Sequence, residues 1–66
     1  MEWYIVDYWD VFLDKRRVYR TNCFSLAFER ISQCYVTRYF VYFGYVEEGL
    51  FFPVRLVARS ATYLGV

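Results

Sequence analysis

Tyr35-Val36-Thr37-Arg38-Tyr39-Phe40-Val41-Tyr42-Phe43-Gly44-Tyr45-Val46 is the stretch that decides the fold. It is filled with β-branched and aromatic residues, which fit a pleated surface better than a helix. Alternation puts Tyr35, Thr37, Tyr39, Val41, Phe43 and Tyr45 on one face. Val36, Arg38, Phe40, Tyr42, Gly44 and Val46 take the other. Both rows are largely apolar, so this strand needs cover on both sides.

Toward the C-terminus, Glu47-Glu48-Gly49 forms a short hairpin loop, with Gly49 supplying the positive φ of a bulge turn. Leu50 to about Thr62 returns as a strand. Phe52, Val54, Leu56 and Ala58 face one way, and Phe51, Pro53, Arg55, Val57 and Arg59 the other. Pro53 has no N–H to give to a ladder, which places this strand at an edge.

Toward the N-terminus, Asn22 is suited to cap a helix. Phe24, Ala27, Phe28, Ile31 and Cys34 or Tyr35 then recur at the spacing of one helix face, predicting a helix over about 22–34. Further back, residues 3–12 carry β-branched and aromatic side chains with no Gly or Pro, and predict a strand. Trp3, Ile5, Asp7, Trp9 and Val11 share one face of it, and Tyr4, Val6, Tyr8, Asp10 and Phe12 the other. Leu13-Asp14-Lys15-Arg16 reads as a turn and Arg17 to Thr21 as a short returning strand.

The expectation is an α+β domain over residues 1–66: a small antiparallel sheet, ββαββ or βαββ, with one helix packed on one face. A small all-β barrel is the alternative. A helix of this length spans about 20 Å and covers one sheet face only. Yet the 35–46 strand is apolar on both faces, and the 3–12 strand nearly so. A row of rings is left uncovered, and such a patch marks an interface. A second copy, another molecule, or closure of the sheet on itself would cover it.

Composition agrees. The 66 residues include eight Tyr, seven Phe and two Trp, while His is absent. A chain this short buries only about 60% of the surface its unfolded form exposes. Rings bury 150–250 Å² apiece, a way to build a core from few residues. Disorder does not fit such a composition. The longest runs without a charge are eight residues, Thr21 to Phe28 and Tyr39 to Val46, against the roughly 20 a membrane helix needs. Glu2 and Asp7 with no basic residue beside them do not make a signal peptide, so a cytoplasmic location is expected.

The formal net charge is +1, but it is unevenly spread. Glu2, Asp7, Asp10 and Asp14 give residues 1–14 a charge of −4. Residues 15–66 set Lys15 and seven arginines against Glu29, Glu47 and Glu48, giving +5. One consequence is pairing between an acidic strand and a basic neighbour. The other is a bipolar surface that orients a partner. Arg rather than Lys suits stacking on rings and bidentate contacts.

An inventory of reactive groups argues against an enzyme. Without His there is no imidazole base, dyad or imidazole metal ligand. Gly44, Gly49 and Gly65 are isolated and form no phosphate loop. Asp7 and Asp10 point to opposite faces of a strand and do not converge. If Cys23 and Cys34 both lie on one helix they are about 16 Å apart and do not bridge; if 22–34 is instead irregular or a strand, a bridge becomes possible. They read as two small apolar side chains, with Cys23, near a helix N-terminus and Arg20, as a thiol of lowered pKa in the sharper reading. No cofactor is expected.

The function expected is a small non-enzymatic protein-interaction module, a homodimer or a binder of a larger protein, of the kind viral or mobile-element accessory proteins use to inhibit or adapt a host protein. Trp3, Tyr4, Tyr8, Trp9, Arg38, Tyr39, Tyr42, Arg55 and Arg59 are the candidate partner contacts, since Trp, Tyr and Arg are enriched at binding hot spots. The alternative is a module for single-stranded nucleic acid. Arg38-Tyr39-Phe40-Val41-Tyr42-Phe43 resembles the ring-bearing strand of RNA-recognition modules, with Tyr39 and Phe43 as the stacking rings and Arg55 and Arg59 as phosphate contacts. Tyr39 and Tyr42 stand where that pattern has glycine, the chain is too short for that module's second helix, and a net charge of +1 is a small electrostatic footprint.

Overall fold

Strand β1 (Glu2–Asp10) is ended by its own last residue. Asp10 Oδ1 accepts from the backbone N–H groups of Phe12 and Leu13, both at 2.9 Å, and bends the chain through residues 11–14. Asp14, at φ 53°, completes the reversal in the left-handed region that Asp tolerates. Strand β2 (Lys15–Thr21) runs back antiparallel, with Lys15 opposite Asp10 and Thr21 opposite Tyr4. The turn thus lies earlier than the expected 13–16. Val11 and Phe12 have strand propensity, but a side chain bonding the backbone two and three residues ahead overrides it. The computed structural model that shows this describes residues 1–60.

Helix α1 (Phe24–Ile31) is shorter than the expected 22–34. Asn22 does not cap it. Cys23 holds the cap position in an extended conformation, and its own N–H donates to Thr21 Oγ1 at 3.1 Å. At the other end, Ser32 Oγ and Gln33 Nε2 both donate to the Glu29 carbonyl, at 2.7 and 3.1 Å. That carbonyl is the acceptor a further helical turn would need, so the helix stops.

Strands β3 (Val36–Glu47) and β4 (Leu50–Arg59) form the second hairpin. Glu47 pairs with Leu50, so the loop is two residues and not three. Glu48 (φ 54°) and Gly49 (φ 79°) are both left-handed, the signature of a type I′ turn. The sheet order is β2-β1-β3-β4, all antiparallel and open, in a ββαββ chain. The barrel alternative is therefore excluded, and β4 with Pro53 is an edge as expected. The expected extension of β4 to Thr62 lies partly outside the described residues.

Three irregularities re-phase the sheet. Between β1 and β3 the register shifts at Asp7/Trp9, where Arg38 has φ 48°. Val36 is thereby turned to the face of Val41, and Thr37 comes opposite Trp9. Two shifts in β4 put Ala58 opposite Val41 but Leu56 opposite Tyr42, and Arg55 opposite Phe43 but Pro53 opposite Gly44. Strict alternation along residues 35–46 and 50–59 therefore fails on both strands. Bulges insert a residue and reverse the side-chain phase beyond it.

The helix packs on the face carrying Tyr4, Val6 and Tyr8 of β1. Val6, Tyr8, Ala27, Val36 and Val41 are buried there, ringed by Tyr19, Ile31, Tyr35, Tyr39, Val57 and Ala58. Burying a valine such as Val6 or Val41 fully contributes about 1.5–3 kcal/mol. Arg30 of the helix lies 4.0 Å from the centre of the Tyr19 ring and donates to the Tyr8 hydroxyl at 3.4 Å, tying α1 to β1 and β2. No helix among the described residues is long and apolar enough to cross a membrane.

Candidate functional site: the uncovered sheet face

The face opposite the helix, which no element among the described residues covers, is built by the odd residues of β1 and their partners. Trp3, Ile5, Asp7 and Trp9 run down its centre, all partly exposed. Register places Arg16, Val18 and Arg20 of β2 on one side of them. Phe40, Tyr42 and Gly44 of β3 lie on the other, followed by Phe51, Pro53, Leu56 and Arg59 of β4. The Phe40 and Tyr42 rings stack at 6.2 Å with planes 18° apart.

Both tryptophans of β1 carry a cation. Arg20 lies 5.5 Å from the centre of the Trp3 ring, and Arg38 lies 5.5 Å from that of Trp9. Between them Arg16 grips Asp7 with two parallel bonds, Nε to Oδ1 at 2.8 Å and Nη2 to Oδ2 at 2.7 Å. The bond to Asp7, and then its charge, raises the Arg16 pKa further above its ordinary value. This pair separates two open depressions. One, of about 230 Å³, is lined by Trp9, Arg38 and Phe40 with Asp7, Tyr8 and Arg16. The other, of about 380 Å³, is lined by Ile5, Tyr42, Phe51 and Pro53 with Asp7 and Arg16.

Charge is segregated through the thickness of the molecule. The uncovered face holds four arginines, Arg16, Arg20, Arg38 and Arg59, against Asp7 alone, a side-chain charge of +3. Everything else sums to −2: Lys15, Arg17, Arg30 and Arg55 against Glu2, Asp10, Asp14, Glu29, Glu47 and Glu48. The expected pairing between the acidic first strand and a basic neighbour is also present, as Asp7–Arg16 and as Asp10–Arg17 at 4.0 Å.

The nine residues singled out from sequence divide between the faces. Trp3, Trp9, Arg38, Tyr42 and Arg59 come together on the uncovered face. Tyr4, Tyr8, Tyr39 and Arg55 lie on the helix side. Tyr8 is 2% exposed and belongs to the core. The stacking pair expected from the RNA-recognition pattern, Tyr39 and Phe43, is on that side too, with Arg55 5.8 Å from the centre of the Phe43 ring. The rings that face outward are Phe40 and Tyr42. Arg16, Arg20, Asp7 and Phe40 were not among the residues singled out; the alternation of Arg16, Val18 and Arg20 opposite the odd residues of β1 was the signal for the two arginines.

Cys23 and Cys34 are unbridged. The Cys23 thiol lies 3.2 Å from Ser25 Oγ, and that bond, followed by the Leu26 backbone N–H, lowers its pKa. Among the described residues no group of His, Cys, Asp or Glu is placed to hold a metal ion. Comparisons with protein-family models, curated proteins and solved structures found no match.

Proposed function

We propose that the chain is a small non-enzymatic interaction module whose working surface is the uncovered face of the sheet. The observation that supports it is the concentration of Trp3, Trp9, Phe40 and Tyr42 with four arginines on the one sheet face that no described element covers. Trp, Tyr and Arg supply most of the energy at binding surfaces: Trp and Tyr desolvate large areas with few rotamers, and Arg stacks and bonds bidentately. From residue types alone the occupant would be a protein, a second copy or the host target of a viral or mobile-element accessory protein; the charge of the face bears on the choice.

The test is site-specific photo-crosslinking in cells. A photoreactive residue replaces Tyr42 on the uncovered face or Gln33, which is exposed beyond the helix. A discrete adduct from position 42, absent from position 33, is the expected result. Adducts from position 33 alone, or from neither, would reject the uncovered face as the working surface.

A further inference from the structure

The uncovered face has a chemistry that selects among occupants. We infer that it seats a single strand of nucleic acid, the bases stacking on Trp3, Trp9 and Tyr42 and the phosphates meeting Arg20, Arg38 and Arg59. This rests on the reading above that the uncovered face is the working surface, and names its occupant.

Three observations carry it. First, the small net charge of the chain misrepresents the surface. The whole carries +1, but the uncovered face carries +3 and the remainder −2. A polyanion would meet a net cationic face, with six of the seven acidic residues off it, the footprint phosphate binding requires. Second, cations and rings are interleaved. Arg20 and Arg38 are held 5.5 Å from the centres of Trp3 and Trp9, so a base on either ring lies within reach of a cation. Trp3 and Trp9 are six residues apart on β1, about 20 Å at 3.3 Å per residue. That span, with Tyr42 beside it, is a track for several nucleotides. Third, the two depressions are open and ring-lined, and the Asp7–Arg16 pair between them satisfies both of its own charges. A base edge would find there a carboxylate and a guanidinium already fixed in place.

A ring-bearing sheet face reaches unstacked bases and not the interior of a duplex, so single strands are the class that fits. A second copy packed face to face fits less well, because it would set +3 against +3.

The experiment is a titration of the intact chain with short oligo(dT), read by its own fluorescence. Both tryptophans of the chain lie on this face, so stacking quenches the signal without a label. Quenching by the single strand, with weaker binding of a duplex of the same length, is expected. Neutralising three phosphates gives a slope of log Kobs against log salt of about −2, at roughly 0.7 per phosphate. Arg38→Ala flattens the slope by about 0.7, and Trp9→Ala weakens binding about tenfold. Arg55→Ala removes the same charge from the helix side and leaves both unchanged. Circular dichroism melts confirm that each variant is folded. Absence of quenching at low salt, or an equal loss from Arg55→Ala, overturns the inference. If position 42 still crosslinks to a protein in that case, the face is a working surface for protein; if neither is seen, both readings fall.

Discussion

Gly44 shows how little freedom the sheet leaves at single positions. It is buried opposite Pro53 of the edge strand. A Cβ there would collide with the Phe52 carbonyl oxygen and come within 2.9 Å of Phe51 Cζ. Backbone cannot yield as a flexible side chain can, so the strands would have to part. Overpacking of this kind costs about 1–3 kcal/mol, and the collision with backbone puts Gly44→Ala at the upper end, about 3 kcal/mol. Urea unfolding checks this; a loss under 1 kcal/mol would mean β4 shifts freely. The need for glycine was not legible in the sequence, where Gly44 was one more residue on an apolar face. It follows from the bulge at Phe43/Gly44, which brings the two backbones together. Tyr8 shows the same limit. Its residue type marks binding surfaces, but the helix lies on its face of β1, and no pattern in a lone sequence says which face a helix takes.

At the scale of elements, the strands and the helix were legible because propensity and periodicity act over many residues. Their ends were not, because each end is decided by one or two hydrogen bonds. Asp10 is the clearest case: its Oδ1 holds two backbone N–H groups and so sets where β1 stops. Asp10→Ala removes both bonds and costs about 2 kcal/mol, at about 1 kcal/mol each. Asp10→Asn keeps the acceptor and loses the charge near Arg17, so it recovers more than half of that in a denaturant melt. Equal losses for the two variants would assign the effect to charge instead. The other hairpin makes the opposite prediction. Glu48 sits at φ 54° in a turn where Asn-Gly is the favoured pair. Left-handed backbone costs most L-residues about 1–2 kcal/mol and Asn less. Glu48→Asn should therefore raise stability by about 0.5 kcal/mol, while Glu48→Gln, which removes the same charge, should not. Equal gains would trace the effect to electrostatics.

For the whole molecule, the decisive feature is the axis along which charge separates. Along the chain it divides first strand from remainder, which left both pairing and bipolarity open. In three dimensions β2 folds Arg16 beside Asp7, and most of the acid then lies behind the sheet, leaving the face basic. This fixes how self-association, if it occurs, must respond to salt. Two copies packed face to face bury rings against rings but oppose +3 to +3, a repulsion that acts over about 10 Å at 0.1 M salt and about 3 Å at 1 M. Such a dimer strengthens as salt rises. Face-to-back stacking instead sets +3 against −2, weakens with salt, and does not close on itself, so it grows into longer assemblies. Edge pairing through β4 is opposed by Pro53 and the two bulges, devices that blunt a free edge. We expect sedimentation to show the 8.1 kDa chain as a monomer at low salt, with dimers appearing only near 1 M. A dimer at low salt that dissociates as salt is added would show that the charge axis, and not the apolar face, drives association.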